Sequence, residues 1–164
     1  MAGLVTMSLA SVNAMAAVGN AGKVTFSGEV VDSPCNLAPG QDGTDVKVDF
    51  GQLSMAQLNA GIKATQPFVL KLQNCSLNGK TASIQFNSND VDGTNAAILD
   101  TRGTATGLGI GIQGYTFGTA AGLKGLVDGN NDLAFTAVAQ QKVAKTNVTA
   151  GDFTAATNFV ISYK

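Results

Sequence analysis

The residues of this chain that could do chemistry are few. It has no histidine and two cysteines, Cys35 and Cys75. Without an imidazole, neither a Ser-His-Asp nor a Cys-His nucleophile can be assembled, and a cysteine metal site lacks its remaining ligands. Gly109-Ile110-Gly111-Ile112-Gln113-Gly114 spells the dinucleotide pattern G-x-G-x-x-G. That motif needs a helix opening after its first glycine. Here the glycines alternate with isoleucines as they would inside a strand, so cofactor binding is not expected. Asp90-Val91-Asp92-Gly93 resembles the start of a calcium loop, but the twelfth position counted from Ser88 is Leu99, where a bidentate glutamate belongs. Asp128-Gly129-Asn130-Asn131-Asp132 is rich in oxygen ligands and equally in ordinary turn residues. No carboxylate pair is marked out. The expectation is a protein that is not an enzyme and holds no metal or cofactor.

The cysteines read best as a disulfide, provided that the chain is exported. Its opening residues support that. Gly3 to Val12 is short, uncharged and largely apolar, and Ala14-Met15-Ala16 fits a small-x-small cleavage pattern. Residues 1–16 therefore read as a partial secretory signal, without a basic n-region, and Ala17 as the mature N-terminus. Sixteen residues fall short of a membrane span, and no second apolar run reaches one. A disulfide closing a loop of roughly forty residues would stabilise the fold by about 4 kcal/mol on the chain-entropy model. The first of the joined strands would be that ahead of Ser33-Pro34, the other that beginning near Pro67.

The elements that must position these residues are short strands. In the tail, Phe153, Ala155, Thr157, Phe159, Ile161 and Tyr163 share one parity, so Asp152 to Lys164 reads as one strand with an apolar face. Near the start, Val18, Gly22, Val24, Phe26 and Val30 share a parity, with Asn20 as its polar member. Strands are expected over Val24 to Asp32, Asp45 to Phe50, Pro67 to Cys75, Ala82 to Asn87, Ala96 to Asp100, Leu108 to Gln113 and Leu133 to Gln141. One or two helical turns are expected around Leu53, Ala56, Leu58 and Ile62, closed by Gly61. Turns fall at Ser88 to Thr94, Thr101 to Gly107, Gly118 to Gly122 and Asp128 to Asp132. Such spacing means an all-β sandwich of immunoglobulin type. At 164 residues the chain suits one domain, and a net charge of −1 gives no electrostatic case for nucleic acid or an anionic membrane.

Four motifs in order go further. They are Gly22-Lys23-Val24-Thr25-Phe26-Ser27-Gly28-Glu29-Val30-Val31-Asp32-Ser33-Pro34-Cys35, then Phe50-Gly51-Gln52-Leu53-Ser54, then Asn74-Cys75, then Asn158-Phe159-Val160-Ile161-Ser162-Tyr163-Lys164. Together they closely resemble the pilins of the chaperone–usher pathway, nearest to major rod subunits of the P-pilus and type 1 kind. The resemblance covers nearly all of the mature chain, with Tyr163 as the family's penultimate tyrosine.

The resemblance implies an incomplete immunoglobulin-like sandwich lacking its last strand. It implies a fimbrial subunit that polymerises head-to-tail by donor-strand exchange on the bacterial surface after export through the periplasm. The implied partners are a periplasmic pilus chaperone, an outer-membrane usher and other pilin subunits. Residues 17–26 would be the donor extension, presenting Val18, Asn20, Gly22, Val24 and Phe26, and residues 27–164 the pilin domain. The edge of the acceptor groove would be Phe153, Ala155, Phe159, Ile161 and Tyr163. Rod pilins usually carry glycine at the fourth inserted position, and strict alternation back from Phe26 puts Asn20 there, with Gly19 beside it. A minor or adaptor pilin shares most of these motifs. A stand-alone secreted binding domain and a carboxylate hydrolase on a β-scaffold are the readings outside the family.

Overall fold

The computed structural model describes residues 20, 22–143 and 147–164. The expected signal, Ala17 and Val18 lie outside them. The chain divides into two units, Met1–Val31 and Asp32–Lys164. In the first, residues 22–31 form neither strand nor helix and are exposed, with Val24 75%, Phe26 90% and Val30 100% accessible. The strand expected over Val24 to Asp32 is thus absent. Alternation supplies an apolar row, but a strand also needs a neighbouring backbone, and this segment has no ladder partner among the described residues.

The second unit is a β-sandwich. Its strands are β1 (Asn36–Leu37), β2 (Ala64–Cys75), β3 (Ala82–Asn87), β4 (Leu99–Asp100), β5 (Arg102–Gly103), β6 (Leu108–Ile112), β7 (Ala121–Leu123), β8 (Gly129–Gln141), β9 (Phe153–Thr154) and β10 (Asn158–Tyr163). One sheet runs β1-β2-β8-β6-β4, a second β10-β3-β7, and β5 pairs with β9. All pairings are antiparallel. The sheets close on Leu70, Leu72 and Phe135 from one side and on Ile84 and Phe86 from the other. Phe86 meets Phe135 and Tyr115 edge-on, at 5.5 and 5.4 Å between ring centres. A smaller apolar cluster gathers Leu58, Leu108, Ala139 and Val148.

The helical turn is α1 (Met55–Asn59), capped by Ser54, whose hydroxyl accepts the Gln57 N–H, and followed by Gly61 at φ +83°. Leu58 is its buried residue. Pro67 sits inside β2 opposite Thr136, not at its start. The other flank of β2 is paired only at Leu72 and Gln73, which leaves room for a residue without an N–H.

Several expected boundaries move. Asp45 to Phe50 forms no ladder, although its burial alternates, with Val46, Val48 and Phe50 half-buried. The strand expected from Ala96 begins only at Leu99, because residues 92–98 are spent on a turn closed by Asn95 N–H to the Asp92 carbonyl and Ile98 N–H to the Asn95 carbonyl. Asp128 to Asp132 is mostly strand, since β8 starts at Gly129. The turn lies earlier, where Asn131 both accepts the Val127 N–H and donates to the Val127 carbonyl, at 2.8 Å each. The turns expected at Thr101 to Gly107 and Gly118 to Gly122 contain β5 and the first residues of β7. The single C-terminal strand is two, because Phe153 and Thr154 pair with β5 while Asn158 to Tyr163 pair with β3. A chain that changes partner breaks its ladder at residues 155–157.

Candidate functional groove

The two cysteines are bonded, Cys35 to Cys75, across a sequence separation of 40. Both sulfurs are buried in the main core. The bond ties the residue ahead of β1 to the last residue of β2, and the Ser76 N–H donates to the Pro34 carbonyl at 2.8 Å beside it. It therefore fixes where the chain enters the sandwich.

The motif-like glycines serve packing. Gly109 and Gly111 lie in β6, and a Cβ on Gly109 would collide with the Ile98 side chain, while one on Gly111 would stand 2.7 Å from the Ala97 carbonyl oxygen. They let the 97–98 chain cross close to the sheet. The acidic loops are likewise occupied by their own protein. Asp92 accepts from the Thr94 hydroxyl at 2.6 Å and from the Thr94 and Asn95 N–H groups, and its other oxygen meets Lys142 at 3.1 Å. These bonds, the Thr94 hydroxyl first, hold its carboxyl far below the usual range. Lys142 also meets Asp100, at 2.5 Å, and the two carboxylates hold its ammonium proton more tightly than usual, Asp100 foremost. Asp128 accepts the Leu77 N–H at 2.7 Å. Among the described residues no cluster of three metal-ligating side chains exists.

What the fold does assemble is a groove of about 720 Å³. One wall is the extended segment 44–50, with Val46, Val48 and Phe50 turned into it. The other is residues 153–159, and Leu70, Phe86 and Ile112 lie at the floor. Its charged lining residues, Asp45 and Lys47, pair weakly at 3.9 Å on the outside. Past the Phe50–Phe153 ring pair, 6.3 Å apart, a second cavity of about 650 Å³ continues toward Leu58 and Leu108 and shares Val48, Phe50 and Phe153 with the first. The groove's lining is mostly apolar, and its Asp45 and Lys47 side chains are largely exposed to solvent. It suits an apolar chain segment.

Of the expected edge residues, Phe153, Ala155 and Phe159 line the groove. Ile161 and Tyr163 do not. They are half-buried against the main core, and burial pushes the Tyr163 phenol up against an opposing hydrogen bond from Ser33. β10 is the edge strand of its sheet, with β3 on one side and no strand on the other among the described residues. The backbone of Lys164 continues the pairing, exchanging two 2.9 Å bonds with Thr81. Asn20, Gly22, Val24 and Phe26 are exposed in their own unit, and Val18 lies outside the described residues. The wall formed by Val46, Val48 and Phe50 was legible as alternation but was not anticipated as part of the site.

Comparison with known proteins gives the family. The family model described as fimbrial protein matches residues 24–164. The chain is 37% identical to the fimbria A protein of Serratia marcescens over 150 residues, 87% of this chain and 84% of that protein. It is 37% identical to the Pap fimbrial major pilin of Escherichia coli over 159 residues, with the same two coverages. Among solved structures it resembles a subunit of a chaperone–usher pilus rod, with a TM-score of 0.77 and 35% identity over 88% of this chain and 96% of that one. It also resembles the P pilus rod subunit PapA, with a TM-score of 0.69 and 30% identity over 80% and 100%. The chain belongs to the fimbrial protein family and is a structural, non-enzymatic subunit of a chaperone–usher surface fimbria.

Proposed function

We propose that this subunit is completed by a strand supplied from outside its own sandwich, and that the groove between residues 44–50 and 153–159 is the acceptor. One observation carries the reading. An apolar groove runs along residues 153–159 to the start of β10, a sheet edge with no strand on its far side among the described residues. An extended apolar strand laid there would satisfy the edge's backbone groups and cover the half-buried walls in one step. Each Val or Phe side chain so buried contributes roughly 1.5–3 kcal/mol.

The donor is residues 17–26 of the next subunit, carrying Val18, Asn20, Gly22, Val24 and Phe26 on one parity, and residues 27–164 form the receiving domain. The exposure of Val24 and Phe26, at 75% and 90%, supports this, because apolar side chains so placed gain most from a neighbour's groove. Before assembly a periplasmic chaperone lends a strand at the same edge. The outer-membrane usher then hands the groove to the extension. Residues 1–16 direct export to the periplasm. Head-to-tail pairing of this kind is heterologous and does not close, so it yields a fibre.

The test is deletion of residues 17–22. The truncated chain should fold and bind chaperone normally, since its own groove is intact, yet fail to insert into the preceding subunit. Laddered polymers from the truncated chain at the yield of the full chain, on gels of unheated fimbriae, would refute donor-strand assembly through this segment.

A further inference from the structure

The 44–50 wall of the groove has no strand paired with it among the described residues, yet it is held extended by two side chains. Gln41 donates from Nε2 to the Lys47 carbonyl at 2.7 Å, and its Oε1 accepts the Lys47 N–H at 3.0 Å. Gln66, on β2, donates from Nε2 to the Asp49 carbonyl at 2.8 Å. A carboxamide carries one donor face and one acceptor face, as a peptide group does, so Gln41 stands in for a residue of a missing neighbour strand. In an extended chain the N–H and C=O of successive residues point to opposite sides. Turning Lys47 and Asp49 toward the two glutamines therefore turns the peptide groups of Val46, Val48 and Phe50 the other way. Those groups make no hydrogen bond among the described residues, while the three side chains line the groove.

We infer that Gln41 and Gln66 are positioning residues for strand capture. They fix the register of the wall so that Val46, Val48 and Phe50 offer a second hydrogen-bond ladder to the incoming strand, opposite the edge of β10. The inference rests on the groove being the strand acceptor. Gln41 is exposed and fills no core volume, so its two bonds have no packing task to explain them. The molecule also supplies its own control. Asn131 grips Val127 by the same two-way carboxamide bond, and neither residue lines the groove.

The experiment uses head-to-tail polymers of the full chain and follows the rate at which unheated ladders dissociate in detergent at fixed temperature. A lost ladder bond is worth roughly fivefold, so Gln41→Leu should dissociate on the order of tenfold faster than the parent, with Gln66→Leu shifted the same way. Gln41→Glu keeps acceptance from the Lys47 N–H but loses the donor, and should fall between. Asn131→Leu should dissociate at the parental rate. Parental rates for both glutamine variants would overturn the inference, and so would equal acceleration by Asn131→Leu. If the parent itself formed no ladder, the acceptor reading would fall with it. Should Gln41→Leu not accumulate as folded chain, hydrogen exchange on the parent decides. The amides of Val46, Val48 and Phe50 should be protected in polymer relative to subunit, and unchanged exchange there would overturn the proposal.

Discussion

Replacing both cysteines with alanine tests how the sandwich is held at the point where the chain enters it. The bond closes a segment of 40 residues between Cys35 and Cys75. On the chain-entropy model a loop of that length costs the unfolded chain about 13 cal/mol/K, or about 4 kcal/mol at room temperature. For a domain of this size that corresponds to a fall in Tm of roughly 10–16 °C. The assay is thermal and denaturant unfolding of a chain beginning at Ser27 and saturated with a synthetic peptide of residues 17–31. The peptide contributes the same mass-action term to both proteins, so it cancels from the difference. Reduction of the unmutated chain should reproduce the effect of the double substitution. An unchanged midpoint in the double variant would refute the reasoning, because the unfolded chain would then have gained no freedom from loss of the bond.

The remaining predictions concern three further parts of the molecule. Lys142→Met should lower stability at neutral pH by removing the cation between Asp92 and Asp100. Asp92 is depressed in the folded state, so its contribution is present above the unfolded carboxyl value near 4 and is lost as the pH falls below it. The gap between Lys142→Met and the parent should therefore narrow below about pH 4, and a pH-independent gap in denaturation midpoints would contradict the network. Gly109→Ala would drive a methyl into Ile98 and should cost about 1–3 kcal/mol, read as a shifted midpoint, whereas a neutral result would mean that the 97–98 chain moves away freely. Ile161→Asp places a carboxylate where Ile161 packs half-buried on the main core, and should cost at least about 2 kcal/mol and abolish recovery of folded subunit with chaperone. Normal co-purification would show that this face of β10 is not needed.

Much of the sandwich was legible in the sequence. β3 spans Ala82–Asn87 as expected, and the Ser54 cap and Gly61 bracket α1 around Leu58. Alternation told correctly that Val46, Val48 and Phe50 share a buried face. It could not tell that no strand pairs with them among the described residues, because period two reports side-chain environment and not backbone partners. The same limit explains residues 22–31, where the pattern is present and the ladder is not. In the tail, one unbroken parity spans two strands, since the alternation survives while the partner changes from β5 to β3. Asp128-Gly129 looked like turn chemistry, but the carboxamide of Asn131 closes the bend earlier and leaves Gly129 to begin β8. Of the residues that the family resemblance implied for one edge of the groove, Phe153, Ala155 and Phe159 line it and Ile161 and Tyr163 do not. Its opposite wall depends on contacts from Gln41 and Gln66, residues separated by 6 and 17 positions from those they hold, and no local pattern encodes such contacts.

The central claim is that the groove between residues 44–50 and 153–159 receives the extension of another subunit. A structure of the assembled fibre measures this directly. The account predicts an extended strand in each groove, continuous with residue 27 of the adjoining subunit, with Val24 and Phe26 buried against the groove's apolar lining and backbone bonds to β10. An empty groove, or one filled by the subunit's own residues 17–26, would contradict it.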